Sequence, residues 1–170
     1  MLKQEPLFLT IDCGTTGTRA AIYDAKGNCL SFACENYPTD FPKPGYAQQN
    51  PQDWWKALKL SIDKVLNSKS FDPAQICAMA LDSTCTSVVL CKKDGTIIRP
   101  CIIWMDVRAG QQADELLKKC GEFYSPEWMP PKLAWLKQNE RENYDAAEVF
   151  CEYAVVLIGL PAGLQRAVAP

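Results

Sequence analysis

The stretch FLTIDCGTTGTRAAIYD, Phe8 to Asp24, contains two apolar runs that each end in an acid, with a short glycine- and threonine-rich turn between them. Residues 7–12 and 18–24 read as strands. The gap is too short for a helix, so the two strands must run antiparallel. AKGN after Asp24 is a hairpin signal, and 29–36 reads as a third strand. The chain therefore begins as an antiparallel meander and not as a βαβ unit. This excludes two familiar phosphate loops. Neither G-x-x-x-x-G-K-[ST] nor G-x-G-x-x-G occurs, and both need a helix directly after the glycines.

The turn residues suit anion chemistry. Gly14 allows a backbone conformation that other residues resist. Thr15, Thr16 and Thr18 add hydroxyls, and the turn adds backbone N–H groups, which together could form a nest for phosphate oxygens. Asp12 at the strand end could serve Mg²⁺ directly or through water. Arg19 could offer a fork to a phosphate. A plain hairpin that tolerates Gly and Thr accounts for the same residues, and on spacing alone it is the favoured reading.

YPTDFPKPGYAQQNP follows as an irregular Pro-rich loop. Asn50 and Pro51 then mark a helix start, and the helix extends to about residue 67 with Trp54, Leu58, Ile62, Val65 and Leu66 on its apolar face. Trp54 and Trp55 read as helix packing. Further strands are expected at 76–82, 86–92 and 98–106. Helices are expected at about 107–119 and 131–139, with a short element near 144–150.

Composition narrows the chemistry. The chain has no histidine, which removes histidine bases, triads and metal ligands. Its net charge of −2 and lack of basic clusters exclude a nucleic-acid footprint. The nine cysteines form no C-x-x-C pair, and most sit in apolar runs. They read as reduced, buried thiols of a cytoplasmic protein. AVVLIGLPAGL is too short for a membrane span and contains a proline.

IDCGTTGTRAAIYD resembles the first phosphate motif of the FGGY carbohydrate kinases, a family of the actin/hexokinase-like ATPases. PGYAQQNPQDWW resembles that family's P-G-W-x-E-x-(D/N)-P-x-x-W-W stretch. ICAMALDSTCTSVVLCKKDGTIIRPCIIWMDVRA is similar to its strand, substrate loop and W-x-D-x-R block, and SPEWMPPKLAWLKQNE to its following helix. The resemblance extends through residues 7–153 in unbroken order. It implies an α/β, ribonuclease-H-like domain whose mixed sheet begins with the three-stranded meander and is incomplete here. It implies transfer of the γ-phosphoryl of MgATP to a hydroxyl of a sugar or polyol, with ATP lying between two domains. Asp12 would serve Mg²⁺. Gly14, Thr15 and Thr16 would line the phosphate end, and Arg19 would assist there. Asp82, Ser83, Thr84, Trp104 and Asp106 would face the sugar.

Each of these residues also has a plainer role. Asp82 could cap the turn after its strand, Trp104 could be core, and Arg108 could hold Asp106 in a structural ion pair. Asp40 and Gln48 lie in a loop that solvent could simply cover, and Gln48 stands where the family often has Glu. Against the kinase lineage stand two other classes: a non-catalytic sugar- or phosphate-binding fragment, and an actin-like nucleotide-binding module. The W-x-D-x-R block and the P-G-Y-x-Q-x-N-P loop favour the sugar kinases over the latter. LDSTCTSVVL and WMDVRA lean towards ketopentose and polyol acceptors.

The resemblance fades over residues 154–170, which is expected of a truncated or frame-shifted tail. The family's general base is an Asp that would lie beyond Pro170, so no residue here takes that role. The isolated chain is expected to be inactive, and to self-associate through surface left uncovered.

Overall fold

The computed structural model describes residues 5–68, 70–154 and 156. In chain order its elements are β1 (Leu7–Cys13), β2 (Gly17–Asp24), β3 (Cys29–Asn36), β4 (Gln48–Gln49), α1 (Pro51–Leu66), β5 (Ile76–Ser83), β6 (Val89–Cys91), β7 (Cys101–Ile102), α2 (Gly110–Cys120), α3 (Met129–Asn139), α4 (Arg141–Ala146) and β8 (Val149–Cys151). They fall in two compact units. One comprises the residues up to Pro38 with Gln52–Ser83, and the other Thr39–Pro51 with the residues from Thr84 on.

The first unit is built on a four-stranded sheet in the order β3-β2-β1-β5. β1 runs antiparallel to β2 and parallel to β5, so the sheet is mixed. The meander forms because the Asp24–Asn28 turn closes tightly. The Asp24 carboxylate accepts from the backbone of Lys26 and Asn28 and from the Asn28 amide, and these bonds hold its pKa below the usual range. Alternation along β1 buries Leu7, Leu9, Ile11 and Cys13 and leaves Phe8, Thr10 and Asp12 half-exposed. In α1 the buried residues are Pro51, Trp54, Ala57, Leu58, Ser61 and Val65, a helical stripe. Lys64 of α1 ion-pairs with Glu35 of β3.

β2 begins at Gly17, and no helix follows the turn. A Cβ at Gly17 would lie 2.4 Å from the carbonyl oxygen of Glu35, so glycine there is a steric requirement of the β2–β3 contact. β5 is apolar in composition yet mostly exposed, with Met79 at 60%. Phe32 on β3 is 62% exposed.

The second unit has its core in Val88, Leu90, Ile102 and Leu136, with Leu133, Trp135, Tyr144 and Phe150 packed against them. Here the strands are shorter than the sequence suggests, and they do not extend the first sheet. β6 pairs with β8 and β7 with β4. The expected strand 86–92 shrinks to Val89–Cys91 because Thr86 turns with a φ of 58°. The expected strand 98–106 shrinks to Cys101–Ile102: Pro100 has no N–H, and a turn begins at Ile103, whose carbonyl accepts from Asp106 N. The α2 helix starts three residues late for a related reason, since the Asp106 carboxylate captures the N–H of Arg108. The element expected at 144–150 splits into the end of α4 and the strand β8. A strand, β4, also emerges from the Pro-rich loop.

The cysteine reading needs correction. Cys13, Cys91, Cys101 and Cys151 are buried, but Cys29, Cys34, Cys77, Cys85 and Cys120 are exposed. An apolar run on an edge strand such as β3 or β5 need not be covered. Of the tail expected at 154–170, residue 155 and residues 157–170 lie outside the described residues, and no described helix is long and apolar enough to cross a membrane.

Replacing Gly17 by Ala should force β2 from β3 and lower stability by about 2 kcal/mol or more. Urea unfolding of the variant beside the parent chain measures this, and an unchanged midpoint would show that the contact can relax.

Candidate functional site

In the first unit the strand register gathers the candidate phosphate and metal residues. Asp12 lies opposite Arg19 of β2 on one side and beside Asp82 of β5 on the other. All three line one shallow concavity, with Thr10, Ala21, Phe32 and Ala80 along its apolar part. Arg19 Nη1 donates to Asp12 Oδ2 at 2.9 Å, and both side chains are nearly half exposed. Such a pair contributes little to stability and is available for exchange with a ligand.

The turn beyond Asp12 is closed by Gly14 N donating to Gly17 O at 3.0 Å. Gly14 does not adopt a left-handed φ, contrary to the sequence argument. Its small size matters instead: a Cβ would stand 3.0 Å from Arg19 Nη1, so glycine leaves room for the guanidinium. Thr15 is half-buried and Thr16 exposed. Thr18 points inward and donates its hydroxyl to Cys13 Sγ, so it does not join the turn's surface. Sequence reasoning missed Tyr37. Its hydroxyl donates to Gly14 O and its backbone N–H to Thr16 O, which staples the turn from the side. A tyrosine after the third strand carries no motif signal that would have found it. Asp82 accepts from the N–H of Ser83, as the plain capping role requires, while also facing the concavity.

The residues fit a divalent cation only in part. Mg²⁺ in phosphoryl-transfer sites commonly takes one or two carboxylates and completes its shell with water and phosphate. Asp12 and Asp82, adjacent in register on one sheet face, match that donor set. Among the described residues no group of three or more carboxylates or cysteines could hold a metal by protein ligands alone.

Of the candidate acceptor residues, Asp82 and Ser83 lie in the first unit and Thr84, Trp104 and Asp106 in the second. Asp106 is wholly enclosed. Its carboxylate accepts from Ala47 N at 2.6 Å, from Arg108 N at 3.0 Å, and from Arg108 Nε and Nη2. Arg108 in turn stacks on Tyr46 (4.0 Å to the ring centre) and on Trp135 (4.9 Å). With these bonds made, no face of the Asp106 carboxylate reaches solvent, and they shape the loop. Trp104, two residues earlier, is 38% exposed and so is not core. Gln48 Oε1 accepts from Arg99 at 3.2 Å and Arg108 at 3.5 Å, and Arg99 also pairs with Glu140 at 2.7 Å. Gln48 Nε2 donates to Asp40. Gln48 and Asp40 are thus part of a network and not merely solvated.

Lys132 of α3 was not singled out by the sequence. It is fully buried, and its ammonium donates to Ile103 O at 2.8 Å and Thr86 O at 3.0 Å. Burial pushes its pKa down to about 8, with Asp106 pulling the other way.

A model of the N-terminal domain of the FGGY family of carbohydrate kinases matches residues 7–159. The chain belongs to this family. It is 27% identical over 156 residues to the glycerol kinase of Thermococcus gammatolerans, an alignment covering 85% of this chain and 32% of that protein. It is 33% identical over 155 residues to the human FGGY carbohydrate kinase domain-containing protein, covering 82% and 28%. Among solved structures, a xyloylose kinase from Brucella ovis superposes with a TM-score of 0.83 at 25% identity, covering 89% of this chain and 33% of that one. The chain spans about a third of the length of the curated relatives it matches. The actin/hexokinase-like expectation for the fold therefore holds, and FGGY kinases are phosphotransferases acting on carbohydrate hydroxyls.

Two outcomes follow from the charged cluster. Arg108→Lys loses the two-pronged bond to Asp106 and the ring stacking, and should cost about 2 kcal/mol in chemical denaturation. Lys132 carries a desolvation penalty that is fully present below pH 8 and relieved as pH rises to its unfolded value of 10.5. The stability of the parent chain relative to Lys132→Met should therefore climb across that window, measured by denaturant titration at several pH values.

Proposed function

We propose that this chain supplies the phosphate turn and part of the acceptor site of an ATP-dependent carbohydrate kinase acting on a ketopentose or polyol. The observation that supports it most is the register of β1, which gathers Asp12, Arg19 and Asp82 on one sheet face beside the Gly14–Gly17 turn. Asp12 with Asp82 would hold Mg²⁺, which neutralises charge on the transferring phosphoryl group. Thr15 and Thr16 with the turn's N–H groups would donate hydrogen bonds to phosphate oxygens, and Gly14 leaves space for Arg19 to reach them. On the acceptor side, in the second unit, Thr84 would offer a hydroxyl and Trp104 an apolar face for a sugar ring. Asp106 and Arg108 would fix the Trp104 loop from inside. No residue of this chain is assigned as the general base.

Phosphoryl transfer depends on positioning and on charge neutralisation more than on covalent chemistry. The 170-residue chain on its own should therefore show no sugar-dependent ATP turnover above background. The exposed Phe32 and Met79 and the apolar strand β5 should promote self-association of the isolated chain.

A coupled ATPase screen over pentuloses and polyols tests this reading, run on the chain and on a version carrying a second domain of the family. The two-domain version should turn over with one acceptor class. In it, Asp12→Ala should lower kcat by about 100-fold and leave the acceptor KM within a few-fold. Unchanged turnover would reduce Asp12 to a strand-end acid. Size-exclusion chromatography of the chain alone checks self-association; a clean monomer with ordinary turnover would overturn the account.

A further inference from the structure

Thr86 is the one non-glycine residue with positive φ among the described residues, at 58°. A β-branched side chain resists that conformation, so something outside the residue must impose it. The Thr86 carbonyl points at the buried ammonium of Lys132, 3.0 Å away. The same ammonium takes the carbonyl of Ile103 at 2.8 Å. Ile103 O also accepts from Asp106 N at 3.1 Å, so this oxygen closes the turn that presents Trp104 and is held by Lys132 at once. Val88 and Ile102 meanwhile exchange two backbone hydrogen bonds, which join the two segments just inside the pinned residues.

We propose that Lys132 is the positioning residue of the acceptor side, locking the Thr84–Thr86 loop and the Ile103–Asp106 turn into one fixed geometry. The proposal rests on the kinase reading for what those loops are for, but not for the lock itself. Three features converge. Lys132 is buried, and among the described residues its ammonium bonds carbonyls and no carboxylate, a burial that is costly unless its protons are used. It uses them on two carbonyls from segments far apart in sequence. One of those carbonyls belongs to the strained residue. A lysine serving only as helix packing would need none of this, since Met at the same place would fill the space.

The lock predicts a specific rescue. In the whole 170-residue chain, Lys132→Met should speed hydrogen exchange at Val88 and Asp106 at least about tenfold, while the amides of β1 and β2 stay as they were. Glycine adopts positive φ without strain, so Thr86→Gly should remove the need for the lock. Thr86→Gly alone should leave exchange at Val88 near the parent value. Combined with Lys132→Met, it should bring Val88 back to within about threefold of the parent. If Lys132→Met does not fold, recovery of a folded double variant gives the same support. Unchanged exchange in Lys132→Met, or a double variant no better than Lys132→Met alone, overturns the proposal. No sugar is present in these measurements, so a failure here leaves the kinase reading standing, and a failed acceptor screen leaves this result standing.

Discussion

Strand β1 has a neighbour on each side, and its register with both determines what the first unit can do. The antiparallel partner brings Arg19 to Asp12, and the parallel partner brings Asp82. Because side chains alternate along a strand, a slip of one residue would send Asp12 inward and Ile11 to the surface. The burial of Leu7, Leu9, Ile11 and Cys13 forbids that slip. Apolar burial on one face of the sheet thus holds a charged constellation in place on the other. The Gly17–Glu35 approach and the Tyr37 bonds to the turn hold the end of the hairpin to the same register.

The second unit works by a different principle. Its organising group is the enclosed carboxylate of Asp106, an expensive thing to bury unless every lone pair is used. Arg108 and the backbone N–H groups of Ala47 and Arg108 do so, and the rings of Tyr46 and Trp135 cover the guanidinium. The outcome is a loop with little freedom that leaves Trp104 at the surface. Rigid support from buried charge is costly in stability, but it suits a residue that must meet a ligand in one geometry. Lys132 repeats the device, with carbonyls in place of a carboxylate.

Much of this was legible from the chain. The hairpin, the third strand, the Pro51 helix start and the strand ending at Asp82 each carry a local signal: period-two alternation, a glycine turn, or a proline at the first helical position. The pairing of Arg108 with Asp106 was legible as an alternative because the two lie two residues apart. The short strands of the second unit were not. Their lengths depend on Thr86 and Asp106, whose backbone geometry answers to partners remote in sequence. Lys132 was invisible for the same reason: in the run PPKLAWLK a lysine reads as a solvated helix face, and nothing local says that two distant carbonyls await it.

The amino-acid sequence by itself determined the meander, its glycine- and threonine-rich turn and the family, because these rest on near-neighbour sterics and on motifs that recur in order. Tertiary structure alone decided which of the candidate residues share a surface. It set Asp82 beside Asp12 across a parallel pairing that no short-range signal encodes, turned Asp106 inward and Trp104 outward within three residues, and buried a lysine. Burial and hydrogen-bond satisfaction are properties of the assembled core, so the protonation, exposure and partners of a charged side chain can be read only once that core is in place.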